Sequence, residues 1–409
     1  MIRTIGIAFV LAVVIGAARA DDWPQFLGPT RNGMSTEKGL AASWPRDGPP
    51  IVWHRDVGEG YSAPAIAGDR LILVHRVGDE EVVECLNAAT GKPQWKFAYA
   101  TTYVDMLGKG NGPRATPTIA RKSVITLGAE GMLHAIDLEK GTKIWSRPLL
   151  KDYKVPRSFF GVGSSPLVEG ELVLVNVGAK KAGIVAFNLA DGHEVWKATD
   201  DGASYASPVV ATIGKERLAV FFTQYGVQLL DPKSGGVRYR HPWRARYPES
   251  VNAATPLVIG DQLFFSACYE TGALLVKLRA DGDPEEAWTG EDVMDNHYNT
   301  AIYHDGYLYG IHGRQERGPS FRCVELKTKK IAWEKERFGC AAMIYADGRL
   351  VALTEAGDLV VVEATPTAYR ELARARVFEA GPCRAQIALA NGRLYARDRK
   401  KLICFKLSR

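Results

Sequence analysis

One short motif recurs eight times along this 409-residue chain. It opens at Tyr61 (YSAPAI), Arg114 (RATPTI), Gly163 (GSSPLV), Tyr205 (YASPVV) and Ala253 (AATPLV), each time a small or hydroxyl residue, then Pro, then an alternating apolar run. Three more copies, at Tyr298 (YNTAIY), Cys340 (CAAMIY) and Cys383 (CRAQIA), keep the pattern without the Pro. The residue before the Pro position is always small: Ala63, Thr116, Ser165, Ser207, Thr255, Thr300, Ala342 and Ala385. Successive copies lie 42 to 53 residues apart. The length alone would favour two or three domains, but a period of this size makes one repeat architecture the stronger expectation.

Within each unit the same order of signals returns. The motif runs into a tight turn, seen as Gly68-Asp69, Gly170-Glu171, Gly260-Asp261, Asp305-Gly306, Asp347-Gly348 and Asn391-Gly392. Such pairs supply the positive φ of a two-residue hairpin. A second apolar strand follows, and a third ends in LNAATG, IDLEKG, FNLADG or LDPKSG. Four residues after that Gly stands Trp95, Trp145, Trp196 or Tyr239, with Trp288 and Trp333 in the same place after variant turns. Each unit therefore predicts four antiparallel strands with an aromatic on the outermost, the pattern of a β-propeller blade. The last unit runs out after LICFKL without its fourth strand, whereas residues 51–57 (IVWHRDV) form an orphan strand with Trp53 ahead of the first blade. This strand is expected to complete the last blade and close an all-β, eight-bladed ring over residues 51–409, removing exposed sheet edges. Seven blades is the alternative.

The blade signature, Gly-x-x-x-Trp after an Asp- or Asn-containing third strand, resembles the pyrroloquinoline-quinone-type (PQQ-like) propeller repeat of quinoprotein-type and BamB-like proteins. WPQFLGPTRNG at 23–33 and the stretch from MDNHYN to YLYGIHG resemble exported members from planctomycete-type bacteria. The resemblance covers nearly the whole chain and implies the fold more firmly than a function. Quinoprotein dehydrogenases hold PQQ with a Ca²⁺ bound by Glu, Asn and Asp, commonly beneath an adjacent Cys pair. This chain has no adjacent Cys pair, and Asn252, Asp295 and Asn299 offer only part of such a ligand set.

Arg3, the uncharged residues 4–18 and the Ala18-Arg19-Ala20 site read as a signal peptide cut after Ala20, the alternative being an uncleaved anchor. Residues 21–50 form an arm, and the propeller follows. The mature protein is expected to be soluble after cleavage, periplasmic or extracellular, and a monomer. A net charge of +6, without a Lys/Arg block or finger spacing, argues against nucleic acid. Catalytic motifs such as Gly-x-Ser-x-Gly, His-Glu-x-x-His and the P-loop are missing, and the eight His show no metal-ligand spacing.

Binding is expected where long interblade loops (100–113, 151–162, 244–251 and 289–297) gather at one mouth of the channel. The candidates are Tyr61, Arg114, Tyr205, Asn252, His297, Asn299 and Arg384, a polar pocket with aromatic walls. The ligand is a small molecule or an envelope protein. A quinoprotein-type oxidoreductase using PQQ and Ca²⁺ at this mouth is the rival. Cys85, Cys323 and Cys404 align with Ala135 and Ala186 in the third strands and read as core thiols. Cys340 and Cys383, at equal positions in consecutive blades, are a candidate disulfide.

Overall fold

The computed structural model describes residues 22–41, 43–156, 160–244, 251–379 and 381–408. The signal segment 1–20 lies outside them, as do the loop residues Arg157, Phe159, Arg246, Tyr247 and Glu249. Eight four-stranded antiparallel sheets form the ring. Blade 1 comprises Ala65–Ala67, Arg70–Val77, Glu80–Asn87 and Pro93–Ala100, and blades 2 to 7 repeat the order. Blade 8 takes Ala388–Ala390, Arg393–Arg397 and Lys401–Lys406 from the end of the chain and Ile51–Asp56 from its beginning. Trp53 pairs with Cys404 across that join. The expected closure and the count of eight both hold.

The register explains the sequence signature. Each outer aromatic sits opposite a third-strand residue: Trp95 opposite Cys85, Trp145 opposite Ala135, Trp196 opposite Ala186 and Trp333 opposite Cys323. The indole then reaches forward to the next blade. Trp53 donates to the Ala88 carbonyl, Trp95 to Leu138, Trp145 to Leu189, Trp196 to Pro232, Trp288 to Leu326 and Trp333 to Thr365, at 2.8–3.1 Å. At four seams the ring also lies against the turn glycine of that next blade: Trp53 on Gly91, Trp95 on Gly141, Trp145 on Gly192 and Trp196 on Gly235. At Gly141 and Gly192, φ is +67° and +73°, and an added Cβ would come within 2.5 Å of Trp95 and Trp145 respectively. Gly is required there twice over, for the turn and for the indole. Six of eight seams carry such a Trp; blade 4 has Tyr239 and blade 7 has Ala373 at the equivalent register.

The small residue before each Pro has its own task. Backbone N–H groups donate in sequence around the channel: Ala63 to Thr116 Oγ1, Thr116 to Ser165 Oγ, Ser165 to Ser207 Oγ, Ser207 to Thr255 Oγ1 and Thr255 to Thr300 Oγ1. A belt of hydroxyls thus ties six consecutive blades and satisfies buried amides that have no strand partner on the axis. Bulk would break it, which is why only small residues occur.

The arm crosses the face that carries the first hairpin turns. Trp23 bridges to Ile66 of blade 1, the Pro24 carbonyl accepts from Ile119 of blade 2, and Met34 and Leu40 bridge to blades 7 and 8. Between these anchors Arg31, 3% exposed, enters the channel. Its Nη1 donates to the carbonyls of Pro208 (3.0 Å) and Ser165 (3.4 Å), its Nη2 to Thr118 Oγ1 (3.2 Å) and the Pro166 carbonyl, and its Nε to Gln25 Oε1 (2.8 Å). The channel is therefore shut at this end.

Candidate functional site

The opposite end remains open as a blind cup of about 350 Å³, floored by Phe26 of the arm and by the belt residues Ser207 and Thr300. Six of the seven expected residues line it: Tyr61, Arg114, Tyr205, His297, Asn299 and Arg384. The seventh does not. Asn252 is buried behind the wall, where its Nδ2 donates to the Thr223 carbonyl (2.8 Å) and its own carbonyl receives the amides of Tyr205 and Ala206. It precedes the lining residue Ala253, and neighbours along an extended chain face opposite ways.

Two arginines dominate the wall. The Arg114 and Arg384 guanidinium carbons stand 5.7 and 5.8 Å from the same Tyr61 ring centre, within cation–π range. Arg114 Nη2 binds Asp105 Oδ2 at 2.6 Å, and Arg384 pairs with Glu355, which also accepts from the Tyr298 hydroxyl at 3.2 Å. Braced in this way, both forks are held in place by the protein before anything else arrives. Among the described residues Lys109 and Arg314 add two more cations to the lining, against one lining carboxylate, Glu316, which pairs with Arg314 at 3.4 Å. Beneath the floor Arg31 pairs with no carboxylate among the described residues. Burial draws its pKa down to about 9, which leaves it protonated at neutral pH. The cup is electropositive.

The far wall was not visible in the repeat. Tyr269 and the short turn Gln315–Arg317 come from the second-to-third-strand loops of blades 5 and 6. Arg314 covers the Tyr269 ring at 4.4 Å, Tyr269 donates to His297 Nε2 at 3.0 Å, and His297 Nδ1 donates to Gln315 Oε1 at 2.8 Å. Burial holds the His297 pKa below its ordinary value, so the imidazole is neutral and serves as a link in this network.

The cup does not fit a PQQ-type calcium site. Asn252 is behind the wall and Asp295 lines a separate groove between blades 5 and 6, so only Asn299 of the partial set faces the cup. Calcium takes six to eight oxygens, several of them charged. Here Asp105 and Glu355 are committed to arginines. Among the described residues no cluster of three His, Cys, Asp or Glu is arranged to hold a metal.

The candidate disulfide is corrected as well. All six cysteines are buried free thiols. The Glu355 backbone lies between Cys340 and Cys383: its amide donates to the Cys340 carbonyl and its carbonyl accepts from the Cys383 amide, both at 2.8 Å. Equal repeat positions in neighbouring blades are thus separated by an inserted backbone.

In the neighbouring groove, of about 760 Å³, the Asp295 side chain is 15% exposed and its Oδ1 has no hydrogen-bond partner among the described residues. Burial pushes its pKa up to about 7, with Asp292 and Glu291 reinforcing and Arg322 opposing. His312 stands between the two aspartates, accepting the Asp295 amide at Nδ1 and meeting Asp292 Oδ1 at Nε2 (3.0 Å). The folded-state pKa is raised above the unfolded value, so the folded protein alone keeps this proton between about pH 4 and pH 7. Stability from this site is full at pH 4, falls as the pH rises, and levels off above pH 7. Asp295→Asn is expected to match wild type at pH 4 and to exceed it at pH 8 by on the order of 2–4 kcal/mol. Urea titrations across that range check this, and a difference that does not change with pH counts against it.

The molecule is an eight-bladed β-propeller with one end of its channel plugged and the other a positively charged cup. Residues 34–158 and 79–335 match the family described as outer membrane protein assembly factor BamB, and the chain belongs to that family. BamB of Yersinia pestis is 22% identical over 286 residues, 66% of this chain and 69% of that one. BamB of Burkholderia pseudomallei (strain K96243) is 32% identical over 104 residues, about a quarter of each chain. Among solved structures, BamB from Moraxella catarrhalis aligns with a TM-score of 0.63 at 15% identity, covering 87% of this chain and 97% of that one. Quinohemoprotein alcohol dehydrogenase from Comamonas testosteroni aligns with 0.56 at 13%, covering 96% and 82%. Both likenesses are of fold alone. No helix among the described residues is long and apolar enough to cross a membrane.

Proposed function

We propose that this chain is a non-catalytic binding propeller exported to the cell envelope, soluble after its signal segment is removed, with the cup as its ligand or partner site. The observation that carries the reading is the pair of arginines over Tyr61, each fixed by a carboxylate of the protein, at the open end of a plugged channel. A rigid scaffold that gathers oriented donors and aromatic walls in one concavity has the features of a binding site. Its relatives are named as assembly factors, which supports a scaffold rather than an enzyme. The oxidoreductase reading has no support from the cup's donor set.

A thermal-shift panel of small carboxylates, sugars, quinones and divalent ions tests this, since a ligand of the folded state raises stability by RT ln(1 + [L]/Kd). An anionic member is expected to raise Tm, and His297→Ala to remove that rise while the protein stays folded. Export is checked by intact mass, which should begin at Asp21. Alcohol oxidation with an artificial electron acceptor, appearing only with added quinone and Ca²⁺, would overturn the non-catalytic reading.

A further inference from the structure

The surface beside the cup narrows what enters it. The loop between blades 1 and 2 carries Val104, Met106 and Leu107 at 65%, 68% and 55% exposure, three adjacent apolar side chains in water. Such a patch usually marks a contact surface. It is not a loose tip. Asp105, buried among them, takes Arg114 and the Tyr103 hydroxyl (3.2 Å) on one oxygen and the amides of Leu107 (3.0 Å) and Lys109 (2.9 Å) on the other. The same carboxylate that braces the cup's arginine therefore also sets the apolar lip, and Leu107 belongs to both. An occupant small enough to lie wholly within the cup would leave Val104 and Met106 uncovered.

We propose that the cup and lip together take the carboxy-terminal end of a partner polypeptide, with its terminal carboxylate between Arg114 and Arg384 and its preceding apolar side chains on Val104, Met106 and Leu107. This rests on the reading of the cup as a binding site. Three features select a chain end of this kind. The floor is closed by Phe26 and Arg31, so a chain cannot thread through. A cavity at the small end of the ligand range, about 300–1,000 Å³, does not admit a hairpin, whose two backbones lie about 4.8 Å apart with side chains on both flanks. The lining is positive, and the end of a polypeptide that bears negative charge is its carboxyl terminus. Capture of that group by fixed donors is an established mode of peptide recognition.

The test uses the mature protein and a fluorescein-labelled pentapeptide, Leu-Val-Ala-Leu-Phe, as free acid and as carboxamide, with benzoate as a small competitor. The acid is expected to bind at least tenfold more tightly than the amide. Arg384→Gln should reduce that preference below threefold, and Arg314→Gln serves in its place if the first variant does not fold. Val104→Ser combined with Met106→Ser, both outside the cup lining, should weaken the peptide at least fivefold while leaving benzoate unchanged. Equal binding of acid and amide overturns the proposal, as does a lip variant without effect. If benzoate or another small anion binds and the peptide does not, the cup reading stands and the chain-end inference falls. If neither the peptide nor any member of the ligand panel binds, both fall.

Discussion

Trp145→Ala is expected to cost about 3–5 kcal/mol of stability, the range for truncating a buried aromatic. The side chain is 7% exposed and belongs to a core shared by blades 2 and 3, where Leu133, Ala135, Val185 and Phe187 also meet. Its indole donates to the Leu189 carbonyl at 2.9 Å and covers Gly192, so its removal opens the seam between two blades and not only the interior of one. Trp145→Phe keeps most of the apolar contact and loses the N–H, and should cost nearer 1 kcal/mol beyond any repacking. Tyr239→Ala, at the same repeat position, is the internal comparison. Its ring is only half-buried and stacks on His241, so a clearly smaller loss is expected. Urea midpoints of the three variants decide the matter. Equal losses at positions 145 and 239 would mean that the forward reach of the indole contributes little.

Repetition is the reason the fold was legible. Eight noisy copies of one pattern average out their local exceptions, and an orphan strand at 51–57 balanced a missing one after residue 407. The meaning of the small residue before each Pro was less accessible, because a hydroxyl belt is a relation between blades. Ser165 shows only that it is small until Thr116 N–H is seen donating to it. The site divided along similar lines. Tyr61, Arg114 and Tyr205 stand at one repeat position and were placed together by that fact alone. Tyr269, Arg314 and Gln315 come from second-to-third-strand loops of unequal length, where the repeat gives no alignment. Asn252 and the Cys340–Cys383 pair show the opposite error. Shared sequence position put them at the right height on the ring, but side-chain direction and the intervening Glu355 backbone decide contact.

Arg31 was invisible to every such argument, because the arm is not repeated, and its replacement gives the second large effect expected. It is buried without a carboxylate partner among the described residues, an arrangement that ordinarily carries a desolvation penalty of several kcal/mol. The structure offsets this with acceptors: three main-chain carbonyls from blades 3 and 4, Thr118 and Gln25. Arg31→Ala removes the penalty but leaves the Pro208 and Ser165 carbonyls without this donor at the centre of the ring, at about 1–3 kcal/mol each. Pro166 loses less, because the Thr118 hydroxyl still donates to it at 2.8 Å. The unmet carbonyls and the lost anchoring of the arm are expected to outweigh the relieved penalty, for a net loss on the order of 1–3 kcal/mol. A second consequence distinguishes this site from any other core position. Arg31 holds the arm between its anchors on blades 1 and 2 and on blades 7 and 8, and Phe26 on that segment is the floor of the cup. Arg31→Ala should therefore raise amide exchange at Leu27 to Gly33 and weaken ligands of the cup, although no ligand in the cup touches Arg31. Arg31→Lys keeps the charge but not the planar fork, and should fall between the two. Exchange confined to the arm with unchanged cup binding would separate the plug from the site above it; loss of both together means that the channel is closed in order to make the cup.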